Sequence, residues 1–278
     1  MVHLQEKAWQ IRKDIVTLIY TAGSGHIGGD MSVTDILVTL YYKHMNCSPE
    51  NQNDPNRDRF ILSKGHCVES LYCILADKGY FPKSELDNYS GYLSPYIGHP
   101  SAKVNGVEIG SGSLGHGLPY SVGMALAGKM DAAPYRVYTV MGDGELAEGS
   151  VWEGAMAAAH YKLDNLTAFI DRNRLQISGS TEFVMAQDSQ EERWRAFGWH
   201  VISIDGNSTK ALDFAIQEAK QIKGKPTMII ANTTKGCGVS FMENQVSWHH
   251  KALDDEHFEV AIRELEQRRA AAYEQNCE

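Results

Sequence analysis

A three-layer α/β/α fold, with helices on both faces of a mainly parallel sheet, is predicted by three observations. Short apolar, β-branched runs at Arg59–Leu62, Val137–Met141, Leu166–Ile170, Trp199–Ile204 and Pro226–Ile230 alternate with helical patterns along the chain. The intervening segments carry those helices, as crossovers between parallel strands require. Turns rich in glycine follow the runs at their carboxyl ends, the side on which open parallel sheets collect ligands.

Composition narrows the class. The 278 residues would permit two domains, but the α/β pattern is continuous, so one domain over 1–278 is expected, with a charged helical tail from about 254. A net charge of -9 argues against a nucleic-acid partner. The five cysteines, Cys47, Cys67, Cys73, Cys237 and Cys277, are odd in number and hold no Cys-x-x-Cys pair, which suggests neither a disulfide framework nor a zinc site and fits a reducing, cytoplasmic compartment. No signal-type block and no apolar run near the roughly 20 residues of a bilayer span occur, so no membrane partner is expected.

The elements follow in order. Leu4, Ala8, Ile11, Ile15, Leu18 and Ile19 lie at helical spacing over 3–21, and Gly23-Ser24-Gly25 should end that helix. His26 then stands in a glycine-rich loop with Gly28-Gly29, either exposed or facing a ligand. Asp30 or Ser32 is expected to cap a second helix with Ile36, Leu37 and Leu40 inside. A polar loop over 46–58 leads to the Arg59–Leu62 strand, and Ser63-Lys64-Gly65-His66 turns into a third helix through Val68, Leu71, Tyr72 and Leu75. There a ring nitrogen of His66 could donate to a phosphate at the helix N-terminus. The irregular stretch 81–100, containing Gly98-His99-Pro100, reads as an active-site loop, with a surface loop as the competing view.

Val107-Glu108-Ile109 suggests a short edge strand before Gly110-Ser111-Gly112-Ser113-Leu114-Gly115, a literal GxGxxG. It is weak as a dinucleotide fingerprint, because the preceding run is very short and no acidic residue closes a following strand at the expected distance. A compact Ala/Gly helix spans 123–130. After the central strand, Gly179 to Glu192 is polar, and a helix with Trp194 and Phe197 ends at Gly198. Ala211, Phe214, Ala215 and Ala219 mark the next helix. Thr234-Lys235-Gly236-Cys237-Gly238 turns at another strand end, one of His249 and His250 should face the site, and a charged helix from Asp254 ends in a frayed tail.

The stretch from Met141 to Ser178 organises the rest. Its strand breaks at Gly142-Asp143-Gly144, a helix follows Ser150, and the next strand runs into Asp171-Arg172-Asn173-Arg174-Leu175. One βαβ unit would therefore deliver Asp143 and Asn173 from the carboxyl ends of neighbouring parallel strands. A carboxylate, an amide oxygen and a loop carbonyl are hard donors suited to Mg²⁺, which completes its shell with water and phosphate. Without a cation, Asp143 about 4 Å from a phosphate oxygen would be repelled by about 4 kcal/mol at a surface-like dielectric. Gly142 and Gly144 allow close backbone approach, and the N-terminus of the following helix should add positive potential.

Gly142-Asp143-Gly144 with Asn173 resembles the motif of thiamin-diphosphate enzymes. With Ser24-Gly25-His26, Asp58–Ser63, Gly65-His66, Gly98-His99-Pro100, Gly112–Gly115, Glu148-Gly149, Gly198–Val201, Lys235-Gly236 and the His249 segment, nearly the whole chain resembles the transketolases, and within them the amino-terminal, diphosphate-binding half found as a separate chain. The resemblance implies thiamin diphosphate with Mg²⁺, or Ca²⁺ or Mn²⁺ in its place, held by Asp143, Asn173 and the Leu175 carbonyl. It implies that His66 contacts the diphosphate, Gly112, Leu114 and Gly144 line the cofactor channel, and Ile177 packs near the thiazolium. His26, His99 and His249 would face the sugar, acting as acid or base near a pKa of about 6.5. Glu148 would match the interfacial glutamate that supports the cofactor-activating one.

Ile27 stands where the family usually has proline, Lys64 where it has asparagine, and His116 where glutamine is frequent, which bears on the sugar and phosphate contacts. The family's pyrimidine-binding domain is not in this sequence. The resemblance therefore implies a carboxy-terminal partner subunit, two copies of each chain, and activity only in the assembly. The implied reaction transfers a two-carbon ketol unit from a ketose phosphate to an aldose phosphate through a carbanion on the cofactor. The alternatives are a specialised transferase or synthase for a branched or sulfonated ketose, an NAD-dependent oxidoreductase using Gly110–Gly115, and a non-catalytic subunit of the same fold.

Overall fold

The computed structural model describes residues 3–187 and 189–274. The chain runs α1 (Leu4–Ala22), α2 (Ile27–Thr39), β1 (Arg59–Leu62), α3 (Val68–Asp77), α4 (Gly117–Met130), β2 (Val137–Gly142), α5 (Gly149–His160), β3 (Leu166–Arg172), β4 (Leu175–Gln176), β5 (Gly179–Ser180), α6 (Thr181–Val184), α7 (Gln190–Ala196), β6 (His200–Asp205), α8 (Thr209–Gln221), β7 (Thr227–Asn232) and α9 (Asp255–Glu274). Five strands form one parallel sheet in the order β1-β2-β3-β7-β6, and β4 pairs with β5 as a small antiparallel hairpin.

Side-chain alternation along the central strands builds the two outer layers. Tyr138, Val140, Phe169, Ile229 and Ala231 point into a core with α1, α2, α3 and α8, to which α9 adds Ala261 and Leu265. Their neighbours Val137, Met141, Ala168, Ile170, Met228 and Ile230 point the other way, onto α4, α5 and Trp194 of α7. The expected α/β/α layering is thus present. No helix among the described residues is long and apolar enough to cross a membrane, and the tail beyond 274 lies outside them.

Several boundaries differ from expectation. Neither Asp30 nor Ser32 caps α2, which starts at Ile27 with both residues inside it. Each has a tertiary partner instead: Asp30 Oδ1 accepts from the Ser70 N–H at 2.8 Å, and Ser32 Oγ donates to Asp171 at 2.6 Å. Gly28 and Gly29 are glycines for closeness, since a Cβ would stand 2.5 Å from the Trp248 carbonyl or 2.6 Å from Cys67 Sγ. Residues 107–109 form no strand; Glu108 is drawn into an ion pair with Arg57. The 110–115 segment is a loop with no preceding strand, which removes the strand-loop-helix context the nucleotide reading needs. α5 begins only at Gly149, after a single 3₁₀ turn over Gly144–Ala147, so its N-terminus does not abut Asp143. On α8 the buried face is Leu212, Ala215, Ile216 and Ala219, and Phe214 is exposed.

Two buried carboxylates hold the strand ends together. Asp171, at the end of β3, pairs with Lys64 beyond β1 and accepts from Ser32 on α2 and Thr233 beyond β7. Glu145 accepts from the backbone N–H groups of Gly142 at 3.0 Å and Gly115 at 2.8 Å, and from Ser63 Oγ. Glu145→Ala would leave these donors without an acceptor, at about 1–3 kcal/mol each. A loss of more than about 3 kcal/mol in urea unfolding is expected, and a much smaller one for Glu145→Gln, which keeps an acceptor oxygen.

Candidate active site

The carboxyl ends of four strands converge on one cleft of about 300 Å³. Lys64 follows β1, Asp143 follows β2, Asn173 follows β3 and Lys235 follows β7. Gly142 pairs with Asp171 across β2 and β3, so Asp143 and Asn173 emerge side by side just past the last strand pairs. The backbone shows their proximity directly: the N–H of Arg174, between Asn173 and Leu175, donates to Asp143 Oδ2.

The donor set in this corner suits a hard cation. Asp143 and Asn173 are both buried. Asp143 Oδ1 accepts from the Gly144 N–H at 2.8 Å, and Asn173 Oδ1 from the Leu175 N–H at 3.1 Å. Each of these oxygens keeps a second lone-pair site. Burial, reinforced by the charge of Asp171, raises the Asp143 carboxyl to about 6. A divalent ion would supply the positive charge that such a carboxylate lacks. Among the described residues no three His, Cys, Asp or Glu side chains gather into a metal cluster; one carboxylate with neutral oxygens is a set that suits magnesium bound with phosphate.

Imidazoles form the opposite wall. The His26 ring lies 5.4 Å from His66, 6.0 Å from His99 and 5.9 Å from His249, while His66 and His249 stack at 5.4 Å. Gly112, with φ of +142°, passes so close to His99 that a Cβ would stand 2.9 Å from the ring. Leu114, Leu175 and the exposed Ile177 complete the lining. Glu148 is not brought into the cleft; it is exposed at the start of α5, beside Gly115.

Three expectations are corrected here. His26 closes the loop before α2, half-buried among the other rings, whereas Gly28 and Gly29, expected in that loop, lie inside α2. His249 and His250 do not point apart, because a 3₁₀ turn over Val246–Trp248 replaces an extended segment, and the His250 ring reaches to 4.4 Å from that of His26. Nor do His26 and His249 titrate near 6.5. Burial lowers His26 to about 4, helped by His250 and His99, and lowers His249 to about 3, helped by the Lys235 charge. His66 and His99 are also lowered by burial. These rings are neutral at pH 7.

In the sequence Lys235 is marked as part of a turn and of the Lys235-Gly236 resemblance, with no role attached. Its ammonium is nearly inaccessible, lines the cleft and donates to His249 Nδ1 at 3.0 Å. A lysine can only donate, so the neutral His249 ring carries its proton on Nε2. Burial and the nearby Lys64 charge lower Lys235 to about 8. Burial also opposes the Lys64 charge, but Asp171 outweighs it and the ammonium is held well above the usual lysine range. The cleft thus holds two lysine cations beside the Asp143–Asn173 corner.

The depressed histidines carry a stability consequence. Between about pH 6.5 and 4 the unfolded chain binds protons that folded His26 and His249 refuse. Stability should be complete above pH 6.5 and fall on acidification through that window, and urea midpoints should depend less steeply on pH in His26→Gln. An equal slope in the variant would contradict the assignment.

Comparison with known proteins agrees with this fold. The family described as "Transketolase, thiamine diphosphate binding domain" matches residues 5–274. The chain is 47% identical over 257 residues to one subunit of the apulose-4-phosphate transketolase of Phocaeicola vulgatus, covering 92% of each. It is 45% identical to the 6-deoxy-6-sulfo-D-fructose transketolase subunit SqwG of a Clostridium species, covering 95% of this chain and 97% of that protein. Human transketolase is 41% identical over 94% of this chain but only 42% of its own length. The solved transketolase of Campylobacter jejuni superposes with a TM-score of 0.84 at 28% identity, covering 99% of this chain and 48% of that one. The chain therefore spans about half the length of those full transketolases.

Proposed function

The chain belongs to the transketolase family as a thiamine-diphosphate-binding domain, and from that premise we propose that it is the amino-terminal subunit of a transketolase that moves a two-carbon ketol unit from a ketose phosphate to an aldose phosphate. The observation that carries this reading is the junction of Asp143 with the Asn173 loop beneath a wall of neutral histidines. A separate subunit with the pyrimidine-binding domain completes the site, as two copies of each chain. Two similar proteins of nearly the same length are named as transketolase subunits, which supports the separate partner. Exposed Ile177 at the cleft, with exposed Phe183 and Met185 following the same β4–β5 hairpin, supplies apolar surface for it. Free buried cysteines accord with action in the cytoplasm.

Thiamin diphosphate, when bound, supplies the nucleophilic carbon that takes up the ketol unit. Asp143, Asn173 and the Leu175 carbonyl hold Mg²⁺, and Lys235 and His66 offer positive charge and an N–H to the diphosphate. Gly112, Leu114, Gly144 and Ile177 bound the channel. His26, His99 and His249 face the sugar; being neutral, each can orient a hydroxyl by donating and can accept a proton from it. Glu148, exposed beside that channel, faces the partner. The nucleotide-dependent alternative has no strand before Gly110 to support it.

A second reading, in which the donor is a branched or sulfonated ketose, is favoured by the names of the two similar subunits. Assay of the co-purified complex against a donor panel separates it from a pentose-phosphate ketose. Asp143→Ala should weaken Mg²⁺-dependent cofactor binding by about tenfold or more, since even loss of an outer partner costs about 10–100-fold. Lys235→Met should weaken binding of the cofactor more than binding of thiamin, which lacks the diphosphate. Calorimetry on the complex checks both, and equal losses for the two ligands would refute the diphosphate contact.

A further inference from the structure

Below the histidine wall lie two carboxyl groups that the chemistry above does not use. Asp30 on α2 and Glu69 on α3 are both fully buried. Asp30 Oδ1 accepts from the Ser70 N–H at 2.8 Å. Glu69 Oε1 accepts from the His26 N–H at 3.2 Å and from the Tyr89 hydroxyl at 2.7 Å. The remaining oxygens, Asp30 Oδ2 and Glu69 Oε2, have no other hydrogen-bond partner. Two adjacent, buried, ionised carboxylates would repel each other, and two orphaned acceptors would each cost free energy. One proton between them removes both costs.

We propose that Asp30 and Glu69 share a single proton, carried by Asp30, and that Glu69 thereby positions His26 and the His99 loop against each other at the substrate side of the cleft. The assignment to Asp30 follows from the donors: Glu69 receives two at one oxygen and is the better anion. Burial and the Glu69 charge drive the Asp30 carboxyl strongly upward. The reach to His99 runs through Tyr89, whose hydroxyl lies 3.7 Å from where a Gly98 Cβ would be, and through Tyr72, which donates to the His99 carbonyl at 3.2 Å. Gly25 leaves the room: a Cβ there would stand 2.7 Å from Glu69 Oε1. The titratable groups facing the pair are His26, Tyr89, Tyr72, Cys67 and Cys73.

The positioning role rests on the transketolase reading, whereas the shared proton does not. Infrared difference spectra of the full chain at pH 7 should show a protonated-carboxyl band that Asp30→Asn abolishes; a band unchanged in the variant overturns the shared proton. Asp30→Asn keeps a donor to Glu69, so its urea midpoint should fall far less than that of Asp30→Ala, and equal falls overturn it too. Tyr89→Phe removes the hydroxyl that links Glu69 to the loop and leaves the Asp30–Ser70 and Glu69–His26 contacts in place. It should shift the imidazole resonances of His26 and His99 in the chain, and in the complex raise the ketose KM about tenfold with kcat within about twofold and cofactor affinity unchanged. Unmoved resonances overturn the positioning role even if the complex transfers no ketol unit, an outcome that would instead defeat the functional reading; in an active complex, an unmoved KM does so as well.

Discussion

Parallel strands end wherever their pairing stops, and nothing in a sheet alone forces the loops beyond them to meet. Here they meet on the carboxylate of Asp171. It takes an ammonium from the segment after β1, a hydroxyl from α2 and another from the segment after β7. A buried ion pair of this kind is costly to desolvate, and removing one member strands the other at about 3–5 kcal/mol. The clamp therefore tolerates few alternatives, and it sits two residues before Asn173. Since Gly142 is opposite Asp171, the same register that locates the clamp delivers Asp143 beside the Asn173 loop.

The electrostatics of the cleft run against those of the chain. A net charge of -9 repels a diphosphate at long range, so recognition has to be local. Lys64 and Lys235 bring positive charge to the strand ends, and Asp171 neutralises only the first directly. His26 and His249 opposite stay neutral because they are buried, and next because they lie beside other rings and those lysines. Cation and anion chemistry thus occupies one side, and proton-accepting rings the other. His250 joins the second side from a position that no simple motif marks.

The sequence by itself determined the sheet, its crossovers and the meeting of Asp143 with the Asn173 loop. Those features are written in local periodicity and in the requirement that parallel strands deliver their loops to one edge. Gly142-Asp143-Gly144 and Asn173 were legible because turn chemistry and strand register are short-range constraints. Tertiary structure alone decided the start of α2, where Asp30 and Ser32 left their capping roles for partners on α3 and β3. It decided that both His249 and His250 turn toward His26, that His26 and His249 are neutral, and that Lys235 meets His249 in the cleft. The physical reason is the same in each case: a side chain's partner and its proton depend on burial and on charges from segments distant in the chain, and neither is encoded in the residues beside it.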